Sequence, residues 1–160
     1  MHIRRFVPVL LTLVASFAAS AQSTIVRYVD PRATGVNNGA SWQNAFTSLE
    51  AAFLSSLSSS AIELRIAGQT YTGGFSISRP AAQGPLTVLG GFRGLGAGGA
   101  ADDRDPVVFA TVLDGAGASR VLAIGAPNLS NPTFGPAVIL DGLILRNGLA
   151  AGAGDAAFGG

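Results

Sequence analysis

Short apolar runs that close on glycine recur along this chain, and their spacing limits what it can fold into. Arg65-Ile66-Ala67-Gly68, Leu89-Gly90-Gly91, Val112-Leu113-Asp114-Gly115 and Ile139-Leu140-Asp141-Gly142 resemble one another, and their closing glycines stand 23, 24 and 27 residues apart. A period of this length builds a stacked solenoid in which each unit holds two or three short strands. One such unit cannot bury its inward side chains alone, so each lays its strands about 4.8 Å from the next and pairs with it through backbone hydrogen bonds. Leucine-rich repeats share the period but need a fixed leucine and asparagine framework and a return segment that this sequence lacks. The reading is an all-β chain, a single-stranded parallel β-helix of roughly four irregular coils over residues 59–160.

The first coil of such a stack would expose its interior and an unpaired strand edge. Residues 22–58 supply an N-terminal cap, a strand and an amphipathic helix. Ile25-Val26-Arg27-Tyr28-Val29 is β-branched and aromatic and runs into Asp30-Pro31 and the turn-prone Gly35 to Gly39. With Ser41 as N-cap, Trp42, Ala45, Phe46, Leu49, Ala52 and Phe53 recur at three- and four-residue steps, which predicts a helix from Ser41 to about Leu57 laid across the opening, with Trp42 as its plug.

Arg4 and Arg5, the apolar stretch Phe6 to Ala19 and the small residues Ala19-Ser20-Ala21 form a signal peptide over residues 1–21, cleaved before Gln22. The apolar run is shorter than the roughly 20 residues that span a bilayer, so the mature chain is expected outside the cytoplasm with no membrane insertion. Cleavage removes two arginines and leaves eight against nine acids, a net charge of −1, which steers toward neither nucleic acid nor anionic lipid. There is no cysteine or lysine, and His2 lies in the signal. Ser-His-Asp and Cys-His machinery, histidine-bound zinc and Schiff-base chemistry are therefore excluded, and no cofactor is implied.

Tyr28-Val29-Asp30, Asn37-Asn38-Gly39-Ala40-Ser41-Trp42, Ile66-Ala67-Gly68-Gln69-Thr70-Tyr71, Gly90-Gly91-Phe92-Arg93-Gly94, Arg104-Asp105-Pro106, Thr111-Val112-Leu113-Asp114-Gly115 and Leu140-Asp141-Gly142 occur in an order that resembles the amino-terminal part of exported bacterial right-handed parallel β-helix proteins of the pectin-lyase-like fold. The resemblance covers nearly all of the mature chain. One departure is Leu95-Gly96-Ala97-Gly98-Gly99, where similar proteins often carry a Thr-Glu pair. The family is functionally mixed, so the resemblance implies architecture and export more than chemistry. Its members usually continue through many more coils to a sorting or anchoring module. The glycine-rich stretch from Gly148 to Gly160 reads like the approach to another coil, so the chain is expected to be truncated at its C-terminus, with self-association through the open C-terminal edge.

Asp114 and Asp141 occupy the same place in successive units. Stacked in register they would lie about 5 Å apart, a spacing suited to retaining glycoside chemistry or to a shared calcium ion. Asp-Gly is first of all a turn pair, because aspartate caps the backbone two residues on and glycine takes the positive φ. Arg120 and Arg146 are the candidates for the base of a lyase-type elimination. Asp102-Asp103-Arg104-Asp105 reads as a solvated loop with Arg104 paired locally, since it lacks the ligand series of a calcium loop. Gly90 to Gly96 lacks the following helix that a phosphate-cradling loop needs, and Asn128-Leu129-Ser130 reads as a turn rather than a glycosylation site. No specific activity is written in these residues; with the resemblance, the leading expectation is a secreted or cell-surface, adhesin-like scaffold that binds a polysaccharide or a surface protein without turnover. The alternative is a fragment of a polysaccharide lyase or glycoside hydrolase.

Overall fold

The computed structural model describes residues 23–125 and 136–149; the expected signal segment with its expected cleavage position, Asn128-Leu129-Ser130 and the glycine-rich stretch beyond Leu149 lie outside the described residues. The described chain is mostly strands in parallel sheets, with one helix. Strands β1 (Thr24–Val29), β2 (Ala61–Ala67), β5 (Leu86–Phe92) and β8 (Val138–Asp141) form a first sheet in the order β1-β2-β5-β8. A second contains β3 (Thr70–Thr72), β6 (Thr111–Asp114) and β9 (Leu143–Arg146), and a third β4 (Phe75–Ser78) and β7 (Leu122–Gly125). The helix α1 (Leu49–Ser55) follows β1.

Period-two alternation sets which side chains are buried. In β2, Ile62, Leu64 and Ile66 alternate with Glu63 and Arg65, so one face of the first sheet is apolar. Ile25, Ile62, Leu86 and Val138 share one row across this sheet, and Leu64, Val88 and Leu140 share the next. These rows join Tyr71 and Leu113 of the second sheet and Phe75 and Ile77 of the third in one continuous core.

The glycines mark two different places. Gly68 donates its amide to the Phe92 carbonyl, and Gly142 sits against Gly90, so these glycines gather at the end of the first sheet. Gly115 instead follows β6 in the second sheet and donates to the Arg146 carbonyl. The 24-residue step from Ile62 to Leu86 agrees with the expected unit, but the next partner of Leu86 is Val138. Residues 93–110 make a long excursion between β5 and β6, so the spacing of glycines mixes corners of two sheets. The inward aliphatic rows fix the register.

The helix is shorter than its apolar stripe predicts. Ser48, not Ser41, is the N-cap: it is extended, and its hydroxyl accepts from the Ala51 amide. Trp42, Ala45 and Phe46 are buried as the pattern requires, but in an irregular stretch, where Ser41 accepts from Asn44 in a turn of its own. The backbone of that stretch has another use. Phe46 donates to the Tyr28 carbonyl, Asp30 donates to the Phe46 carbonyl and Tyr28 donates to the Gly39 carbonyl, which satisfies the free edge of β1. A helix spends its own amides and carbonyls internally and cannot do this. The irregular stretch therefore covers the edge, while Leu49, Ala52 and Phe53 of α1 close the core against β1 and β4.

Trp42 is not a plug in the core. It packs with Ala67 and Phe92 in a separate cluster against the opposite face of the first sheet, its ring 4.9 Å from Tyr28 and 5.7 Å from Phe92. Its indole Nε1 donates to Asp102 at 3.1 Å, which also receives Arg65 at 3.0 Å. The excursion that carries Asp102 is fastened to β1 by Asp30. This fully buried carboxylate accepts from the Leu95 amide and from the amide and guanidinium of Arg32.

Candidate functional site

An open cleft of about 520 Å³ lies at the end of the second sheet, lined by Thr72, Asp114, Ala116, Gly117, Asn147 and Gly148. Its geometry starts from β6. Asp114 is the last residue of that strand, and its Oδ1 accepts from the Ala116 amide two residues on, turning the chain. Ala116 and Gly117 take the positive φ values of 53° and 67° that continue this corner. The neighbouring corner matches it: Asn147 has φ 52°, and the amides of Gly115 and Gly117 donate to the carbonyls of Arg146 and Asn147.

Register places Thr72 opposite Asp114 and Asp114 opposite Arg146, so a hydroxyl, a carboxylate and a guanidinium stand on three adjacent strands. Arg146 Nε donates to Asp114 Oδ2 at 2.9 Å and Asn147 Nδ2 donates to Asp114 Oδ1 at 3.0 Å. The Ala116 amide, then the Asn147 carboxamide and the Arg146 guanidinium, hold the Asp114 carboxyl below the usual carboxylate range. Asp114 is thus a fixed, ionised acceptor. Arg146 keeps about half of its side chain exposed.

Asp114 and Asp141 are not stacked. Asp141 ends β8 in the first sheet, opposite Leu89, and its Oδ2 accepts from Arg104 at 3.0 Å. The likeness of the two Asp-Gly runs is therefore a likeness of corners in different sheets, and the neighbour of Asp114 in register is Arg146. The geometric basis for a carboxylate pair or a calcium ion shared by Asp114 and Asp141 is absent. Among the described residues no group of three or more His, Cys, Asp and Glu side chains is placed to hold a metal ion. Arg104 pairs with Asp141 and with the Gly90 carbonyl rather than locally. Asp103 pairs with Arg93 at 3.1 Å, and Asp105 caps the amides of Val107 and Val108. Arg120 is exposed in the turn between β6 and β7.

Sequence reading identified Asp114 and Arg146 but not their proximity, and it missed Thr72 and Asn147. Asn147-Gly148 is itself a turn signal comparable to Asp114-Gly115, and pairing the two corners would have suggested the site. Among the described residues no aromatic side chain lines the cleft. Tyr71, the neighbour of Thr72, points into the core, where its hydroxyl donates to the Ala67 carbonyl and burial pushes its ionisation upward. Among the described residues no helix is long and apolar enough to cross a membrane. No family model, curated protein or solved structure matches the chain.

Proposed function

We propose that this chain is an exported right-handed parallel β-helix, akin to the pectin-lyase-like proteins, that serves as a non-catalytic scaffold and binds a neutral glycan at the cleft around Asp114. Support for the wound architecture comes from the strand order: from β2 onward the chain visits the first, second and third sheets in turn, and every ladder is parallel. Right-handedness follows the strong preference of parallel crossovers.

The observation that carries the glycan reading is the open cleft lined by Thr72, Asp114 and Asn147, with Arg146 bonded to the Asp114 carboxylate. A fixed carboxylate accepts from sugar hydroxyls, while a guanidinium and a carboxamide donate to them. The charges of Asp114 and Arg146 cancel, so the cleft favours neutral over polyanionic sugars. A bound carboxylate with three donors already on it is a poor proton donor, which favours recognition over turnover.

Affinity electrophoresis in neutral glucans, mannans and galactans, beside polygalacturonate, tests this reading. Retardation is expected in a neutral polymer, without new reducing ends or unsaturated products, and Asp114→Ala is expected to weaken it about tenfold or more, the loss that follows from one or two charge-assisted hydrogen bonds. Release of unsaturated products from polygalacturonate would instead establish the lyase alternative.

A further inference from the structure

Residues 93–103 leave the first sheet after β5 and fold back on themselves. Phe92 and Arg104 form an antiparallel bridge at the foot, and the amides of Arg93 and Gly94 donate to the carbonyls of Asp103 and Ala101 across the loop. Gly96-Ala97-Gly98-Gly99-Ala100 at the tip carries no side chain larger than a methyl, so ordering it costs backbone entropy that little packing offsets. Of this loop, Leu95 and Ala101 pack on the cluster of Trp42, Ala67 and Phe92.

Carboxylates fasten it. Among the described residues four hydrogen bonds tie residues 93–103 to other parts of the chain. Leu95 donates its amide to Asp30 Oδ2 at 2.7 Å, and Trp42 Nε1 and Arg65 Nη1 donate to Asp102 Oδ1 at 3.1 and 3.0 Å. Arg32 Nη2 donates to the Arg93 carbonyl at 2.9 Å, and this tie also depends on Asp30, whose two oxygens grip the same guanidinium. Asp30 and Asp102 thus underlie all four. The main core is built instead from aliphatic and aromatic side chains, whose packing does not depend on charge. Arg32 and Tyr71 are the other charged or titratable groups facing Asp30, and Arg65, with its partner Glu63, faces Asp102. Arg93 pairs with Asp103 inside the loop and lies over the Phe109 ring, while Arg104 pairs with Asp141 at the foot.

We infer that residues 93–103 are an acid-released strap: when Asp30 and Asp102 lose their charges, the loop lifts from the first sheet and uncovers Trp42 and Phe92 while the stacked core stays folded. Local openings of this kind draw on the parts of a structure with the fewest buried apolar contacts. Burial pushes the Asp30 carboxyl up, but the Arg32 guanidinium and the Leu95 amide outweigh it and hold the carboxyl below the usual range. A carboxyl more acidic in the closed state than in the open one holds the strap fully above the ordinary value of about 3.9, and releases it as pH falls through the lower, closed-state value. A neutral Asp102 still accepts from the indole but no longer attracts the Arg65 guanidinium. The product is an aromatic face hidden at neutral pH and presented in acid.

Trp42 is the chain's only tryptophan, so its fluorescence reports what covers it. On acidification of the purified chain, acrylamide quenching of Trp42 is expected to rise severalfold, and its emission to shift red, before far-UV circular dichroism changes. Quenching separates opening from simple protonation of a nearby carboxylate, which alters emission without admitting the quencher. Asp102→Asn changes an exposed side chain outside the core and is expected to move the transition toward neutral pH. Asp30→Asn is expected to raise quenching already at neutral pH, with the dichroism of the sheets retained. A single transition in which quenching and dichroism change together overturns the inference. So does a Trp42 that stays shielded in acid until the sheets unfold, or a quenching transition that neither substitution moves.

Discussion

Asp30 is a carboxylate with no exposed surface at the junction of β1 with the excursion that follows β5. Burial alone would push its carboxyl up, but the Arg32 guanidinium, the Leu95 amide and the Arg32 amide together hold it below the usual range. A carboxyl more acidic in the folded state than in the unfolded one contributes stability that is complete above the unfolded value, about 3.9, and is lost as pH falls through the lower folded value. Asp30→Asn is expected to flatten this acid limb of the melting curve and to cost about 2–3 kcal/mol near neutrality, less than a fully buried ion pair because Arg32 is one-third exposed. Thermal melts of both proteins from neutral pH down to strongly acidic buffer measure both effects. Nothing in Asp30-Pro31-Arg32 beyond a turn signal announces this role, since the partner amide of Leu95 lies 65 residues away. Asp114 was more legible: its turn with Ala116 is written in Asp-Gly, whereas its bonds to Arg146 and Asn147 depend on sheet register.

Helix α1 shows how an apolar stripe can identify buried residues and still misplace an element. Trp42, Ala45, Phe46, Leu49, Ala52 and Phe53 are all buried, but helical spacing accounts only for the last three. Two serines seven residues apart each offer a capping hydroxyl, and the sequence alone does not rank them. The unpaired edge of β1 decides between them, because it needs the backbone of Phe46 in extended form. Ser48→Ala is expected to destabilise by about 1 kcal/mol, the usual loss of a cap, and Ser41→Ala by less, a difference that urea titrations can resolve. At the other end of α1 the buried Arg79 donates to the carbonyls of Ser56 and Gly84, tying the helix terminus to the turn before β5, and burial pushes its ionisation down.

For the molecule as a whole, stacking of aliphatic rows explains more than the glycine period from which the repeat was first read. Parallel pairing and short strands were legible, because Ile-x-Leu-x-Ile alternation and turn residues carry them. The correct partners of each strand were not, because the excursion between β5 and β6 lengthens one unit and displaces its glycines. Leu64, fully buried in the middle of a row, and Leu145, about half exposed, should therefore respond differently to truncation. Leu64→Ala is expected to cost about 2–5 kcal/mol as a cavity mutation, and Leu145→Ala less than about 1 kcal/mol, measured by denaturant unfolding of the monomer. The parallel ladders have a further, kinetic consequence. The shortest loop that any of them closes runs the 24 residues from Ile62 to Leu86, and among the described residues local antiparallel pairing is confined to the Phe92–Arg104 bridge. Distant segments must meet before any ladder rewards them, which makes this a slow folder for its size, with strand edges bare for much of the journey.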